Sequence, residues 1–276
     1  LSDRDLDKLK QALMLTLSVP VKPGAVHRLR LDALFEARLS EAVVLSRYIE
    51  EAYEKGVQLA RGSIDTRNLG LGKLYSQAVI DAFDFVGKRP LPGLFYSAIM
   101  LSVIAGYSSE TGKDVITEAN KLVRLVPYGS DVEDTIALIE GLEGIGASDH
   151  LLALDQQGIS KRSIRLHALS IGDIAEKLSS MDKGFLYNLR GYSLLRETTN
   201  IALSSNNLIE AILRAYYHLG VKIGVFREIN EGSSLIRYFM ELDRGEYKKR
   251  YDNDQLLGAV VFSAGLVHLK KDLSLP

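Results

Sequence analysis

Apolar residues recur at helical spacing along almost the whole chain and alternate at strand spacing almost nowhere. Leu6, Leu9, Leu13 and Leu17 form one stripe of a first helix that stops before Pro20, with Ser2 and Asp5 spaced as a capping box. Leu34, Leu39, Val43, Tyr48 and Ala52 predict a second helix over 32–55, ended by Gly56. A third over 68–86 is closed by GKRPLPG, a fourth covers 94–105, and a fifth over 114–125 stops at the PYGS turn. Beyond Tyr128 there is no proline before the last residue. There the pattern predicts helices over 131–143, 149–156, 160–180, 183–204, 207–219, 234–243 and 254–270. Ser160, Asp182 and Ser233 are spaced as N-caps and Gly220 as a C-cap. The β-branched stretch VKIGVFREINEGSS, 221–234, is the place for a strand-like or irregular excursion.

No repeat of fixed period and no Gly/Ser/Pro-rich linker interrupts this pattern, so a single all-α domain over 1–276 is expected, built from ten or more helices. The two longest apolar stretches, LFYSAIMLSVIA and LLGAVVFSAGLVHL, fall short of the roughly 20 residues a bilayer needs and read as buried helices. The charged opening LSDRDLDKLK is not signal-like, and a cytoplasmic setting is expected.

Composition narrows the chemistry. The net charge of −1 supplies no global field toward nucleic acid or an anionic membrane, so a basic site has to be local. With no cysteine, disulfides, thiolate catalysis and Cys-based zinc are excluded. His27, His150, His167, His218 and His268 show no i,i+4 pair and no zinc motif, and no nucleophile elbow is present.

What remains concentrates in interhelical corners. In VPVKPGAVHRLRLD, a rigid Pro-Gly turn carries Lys22, His27, Arg28 and Arg30, with Gly24 free to take a positive φ. Lys as a point charge and Arg as a planar fork suit phosphate recognition; solvated cations on a surface turn are the plainer reading. In GSIDTRNLGLGK, Asp65, Thr66, Asn68 and Gly70 precede an apolar helix, whose free amides can meet an anion or simply be capped. In VPYGSDVEDT, Asp131, Glu133 and Asp134 can hold Mg²⁺ or complement a helix dipole. Asp173 is an acid flanked by Ile171 and Ile174, either buried and paired with Arg162 or Arg165, or exposed. Asn253 and Asp254 open the last helix, where capping alone accounts for them.

Together, VPVKPGAVHRLR before a long helix and DTRNLGLGKL after a Gly-bearing turn resemble the triphosphoribosyl-dephospho-CoA synthase family. The resemblance implies an all-helical nucleotide-dependent transferase. In that family's reaction the ribose 2′-hydroxyl of dephospho-CoA attacks C1 of the ribose of ATP, adenine leaves and the triphosphate is retained. It further implies that Lys22, Gly24 and Arg28, with His27 beside them, contact phosphates. Thr66, Asn68 and Gly70, with Asp65, fall approximately on a second family segment, Asp173 falls on a mid-chain acid and is the expected catalytic residue, binding metal or orienting a hydroxyl, and Asn253 and Asp254 lie near a segment opening the last helix. ATP, dephospho-CoA or a related acceptor, and Mg²⁺ at Asp131 and Asp134 are the expected ligands. The family's Gly-rich turn reads PYGSDVED here, and its Pro, Gly and Thr before the last helix are absent. The alternative is a non-catalytic descendant that binds a phosphorylated ligand or a protein partner.

Overall fold

The computed structural model describes residues 3–29, 33–186, 192–229, 234–244 and 253–275. Among them the chain forms thirteen α-helices, two short 3₁₀ turns and no strand, with one isolated bridge between Asn207 and Ser274. No helix of the described residues is long and apolar enough to cross a membrane.

The centre is α4, Pro92–Thr111. It is apolar all round, and a helix without a polar face has to be covered on every side. Every residue from Pro92 to Gly106 is buried. The final helix, α13 (Leu257–Lys271), is buried from Leu257 to His268 for the same reason and packs across α4. Between their starts three glycines meet: a Cβ on Gly258 would fall 2.5 Å from the Gly93 carbonyl oxygen and 2.8 Å from Gly184 Cα.

Around this core, α1 (Asp3–Ser18) and α2 (Ala33–Ala60) flank the Pro-Gly turn. α2 lies parallel to α4, since Arg38 Nη1 donates to the Arg89 carbonyl (2.9 Å) at one end while Arg61 pairs with Glu110 (2.8 and 3.0 Å) at the other. α2 does not stop at Gly56. A Cβ there would meet Val103 O at 2.1 Å, so the glycine serves close helix packing and the helix runs on to Ala60. α3 (Leu71–Val86) returns antiparallel, with Tyr48 OH donating to Asp81.

The remaining helices are α5 (Val115–Tyr128), α6 (Val132–Gly144), α7 (Ser148–Asp155), α8 (Lys161–His167), α9 (Ile171–Leu178), α10 (Tyr192–Ala202), α11 (Leu208–Lys222) and α12 (Leu235–Arg244). Residues 160–180 form two helices rather than one. Ser160 and Ser170 each start a capping box, and Ala168, at φ 50°, ends the first helix. Gly220 is inside α11 against Phe226, and Val225–Ile229 is irregular rather than a strand. Ser2, Arg30 and Ser233 lie outside the described residues, as does part of the span expected to form a helix over 183–204.

Candidate functional site

The Pro-Gly turn and the start of the last helix, far apart in sequence, are joined by three hydrogen bonds, and Tyr216 of α11 adds a fourth to the turn. Asn253 N donates to Gly24 O (2.9 Å), Asn253 Nδ2 and Tyr216 OH donate to Pro23 O (2.9 and 2.6 Å), and Val26 N donates to Asp254 Oδ1 (2.7 Å). Gly24 takes the left-handed conformation (φ 76°) that the Pro-Gly sequence anticipates.

The cations of this turn point inward. Lys22 is fully buried, contrary to the expectation of a loop cation open to phosphate, and its Nζ donates to the Thr16 carbonyl. Burial lowers its pKa to about 7, with the charge of Asp254 only partly offsetting the loss of hydration. His27 is buried as well, with Nδ1 3.0 Å from Pro20 O and Nε2 3.4 Å from Asp243 Oδ1. Among the described cations of this turn, Lys22, His27 and Arg28, only Arg28 is exposed.

Behind Asp254 sits a second buried cation. Arg38 Nε is 4.0 Å from Asp254 Oδ2, and its Nη1 donates to both Glu41 Oε1 and the Arg89 carbonyl. Glu41 is fully buried and its Oε2 has no hydrogen-bond partner. Burial drives its pKa up to about 7 against the pull of Arg38, and the nearby Asp254 charge adds to the rise.

In front of Asp254 opens a cleft of about 240 Å³, which it lines together with Arg89, Asp149, His150 and Asp182. His150 Nε2 lies 3.2 Å from Asp182 Oδ2 and Nδ1 lies 3.1 Å from Asp149 Oδ1. Burial alone would lower the imidazole's pKa; hydrogen bonds to the two carboxylates and their charges outweigh it and raise the pKa above its ordinary value. Arg89 grips Asp149 through both carboxylate oxygens (2.7 and 3.1 Å). Asp149 is itself partly buried, which favours the neutral acid, yet His150 and Arg89 hold its pKa down at about 2. Asp182 also accepts the amides of Gly93 (2.9 Å) and Gly184 (2.9 Å) at the start of α4. One small cleft therefore holds an imidazole whose pKa is raised and, apart from it, the carboxylate of Asp254. Shifted groups gathered in a cleft mark candidate sites of proton chemistry.

The other corners form a separate, wider cleft of about 800 Å³, lined by Asp65, Thr66, Arg67, Tyr128–Glu133, Ala168 and Ser170. Its lining shares no residue with the first cleft. α3, whose 16 residues span about 24 Å, runs from the Asn68 corner toward Arg89. Lys22 and Arg28 thus do not converge with Asp65 and Asn68.

Most acids of the wider cleft and its edge are occupied locally. Asp65 Oδ1 accepts Asn68 N and Nδ2 (both 2.9 Å), and Gly70 (φ 70°) leads into α3. Asp131 caps α6 by accepting Asp134 N (2.7 Å), while Asp134 accepts Lys73 N (3.0 Å) and is buried, which raises its pKa. Magnesium takes carboxylates open to water and phosphate oxygens. Asp131 stays exposed at the wider cleft while Asp134 is buried, and among the described residues no group of three or more His, Asp or Glu side chains is placed to hold a metal ion. Asp173 accepts Ser170 N (2.8 Å) and Ser170 Oγ (2.6 Å) in the α9 capping box.

Sequence reasoning assigned no role in a site to His150, Asp149, Arg89, Arg38 or Glu41, and read Asp182 only as a cap. Asp182 and His150 are 32 positions apart, so no spacing pattern joins them. Comparison with protein-family models, curated proteins and solved structures returns no match.

Proposed function

We propose that the chain is a nucleotide-dependent transferase of the triphosphoribosyl-dephospho-CoA synthase type, with its reacting centre in the 240 Å³ cleft. The observation that carries this reading is His150, biased toward its protonated form, sharing a cleft with Asp254. Glycosyl transfer with loss of adenine needs that acid–base pair. Asp254 takes the proton of the acceptor hydroxyl as its oxygen bonds to C1 of the ATP ribose. The bond from C1 to adenine breaks, its electron pair leaves with the base, and His150 protonates the departing nitrogen from Nδ1, which gives up its contact with Asp149 while Nε2 stays on Asp182. The joining of the Pro-Gly turn to the Asn253–Asp254 corner further supports the reading, since it brings two of the family-like segments to one place. The cleft admits the ribosyl centre, and the rest of the nucleotide would lie outside past the rim at Arg89. Magnesium enters only as the counter-ion that the triphosphate itself carries.

A second reading, a descendant that binds a phosphorylated ligand without transfer, is favoured by Lys22, whose ammonium is turned into the interior. Calorimetry with Mg·ATP and dephospho-CoA tests both. Saturable binding of either ligand that His150→Gln weakens supports a site in this cleft. Absence of heat with both ligands overturns both readings.

A further inference from the structure

Arg38 stands between two carboxylates that do not touch one another. Its Nη1 serves Glu41 Oε1 and the Arg89 carbonyl, and its Nε, without a hydrogen bond of its own, faces Asp254 Oδ2 at 4.0 Å. Glu41 has no exposure to solvent, and its Oε2 has no partner. A fully buried carboxylate with one oxygen unserved is a costly choice for a mere structural tie. A glutamine would add no charge to the core, and a methionine would fill the space. Lys88 favours ionised Glu41, Lys22 acts with Asp254 from the α1 side, and Arg89, Asp149, His150 and Asp182 line the cleft that Asp254 faces.

We infer that Glu41 is a positioning residue which, through the shared Arg38 guanidinium, sets the charge that Asp254 presents to the cleft. When Glu41 is neutral, Arg38 is left to stabilise ionised Asp254, which makes Asp254 a weaker base. When Glu41 loses its proton, it competes for the guanidinium and adds like charge nearby, so Asp254 holds a proton more readily. The two carboxylates therefore titrate as a coupled pair. This inference builds on the role of Asp254 in the proposed transfer, yet the coupling itself can be measured with no substrate present.

The test is a ¹³C-NMR titration of the ligand-free protein labelled at aspartate and glutamate carboxyl carbons, from pH 4 to 9. Signals are assigned with Asp254→Asn and Glu41→Gln. In the wild type the Asp254 signal is expected to show a second inflection near pH 7, coincident with that of Glu41. In Glu41→Gln that inflection should vanish while the melting temperature shows the protein folded. An Asp254 signal without a step where Glu41 titrates overturns the inference from the wild type alone, even should Glu41→Gln not fold. A coupled titration in a protein that releases no adenine would leave the coupling standing and remove the transferase reading.

Discussion

Asp182 Oδ2 accepts both from His150 Nε2, at 3.2 Å, and from the amide of Gly93, at 2.9 Å, tying the imidazole to the first turn of the central helix. The positive end of the α4 dipole and the imidazole meet on one carboxylate. Removing that acceptor leaves His150 Nε2 and the amides of Gly93 and Gly184 without it in a buried setting. Asp182→Ala is therefore expected to lose about 3–5 kcal/mol of stability. Asp182→Asn should lose less, because it keeps an acceptor. Urea denaturation of the two variants beside wild type measures the difference.

The same pair makes stability depend on pH. His150 has a folded pKa above its unfolded value, so its contribution is complete below about pH 6.5 and is lost as pH rises through the folded pKa. The stability difference between wild type and His150→Gln should be largest near pH 5.5 and shrink by pH 8.5. A constant difference across that range would mean that the imidazole is not held protonated.

Lys22 shows the opposite dependence. Its folded pKa, lowered to about 7, lies below that of the unfolded chain, which binds more protons between pH 7 and about 10. Stability gains from this residue as pH rises through that window. Lys22→Met should abolish the gain and be neutral or stabilising at pH 6, because it fills the volume without burying an ammonium. Lys22→Ala should destabilise through the cavity it leaves, by about 2 kcal/mol or more. Denaturation curves at pH 6 and 9 separate these outcomes.

The glycine contact between α4 and α13 admits no side chain. Gly258→Ala would press a methyl onto the Gly93 and Gly184 backbones, which flank the amides held by Asp182. A loss of about 1–3 kcal/mol is expected, with weakened ligand binding because the carboxylate must shift with the backbone. Gly62→Ala, at a turn with open space around it but a positive φ, is the comparison, and it should cost only about 1 kcal/mol.

How much of this was legible beforehand follows the physics of each element. α4 and α13 announce themselves because they are apolar without a polar face, and the turn at Gly24 because Pro and Gly constrain backbone directly. Ser160 and Asp182 are readable caps, since capping depends on residues a few positions away. The break after His167 escaped because the apolar spacing continues across it while Ser170 restarts the helix. Gly56 misled because its close neighbour is a carbonyl of another helix. Lys22 misled for a related reason: lysine beside two prolines suggests a surface turn, and only the packing of α1 and the Asp254 corner turns it inward. The His150, Asp182 and Asp254 arrangement had no local signal at all, because the residues come from separate elements that the buried glycine contact draws together.

If His150 and Asp254 serve as acid and base in the proposed transfer from ATP, adenine release depends on both. Purified protein is incubated with Mg·ATP and dephospho-CoA, and free adenine is followed by chromatography in wild type, His150→Gln and Asp254→Asn. Wild type is expected to release adenine, and each variant to release it about 10²–10⁴-fold more slowly while both remain folded. No adenine from wild type, or equal release from His150→Gln, would contradict that expectation.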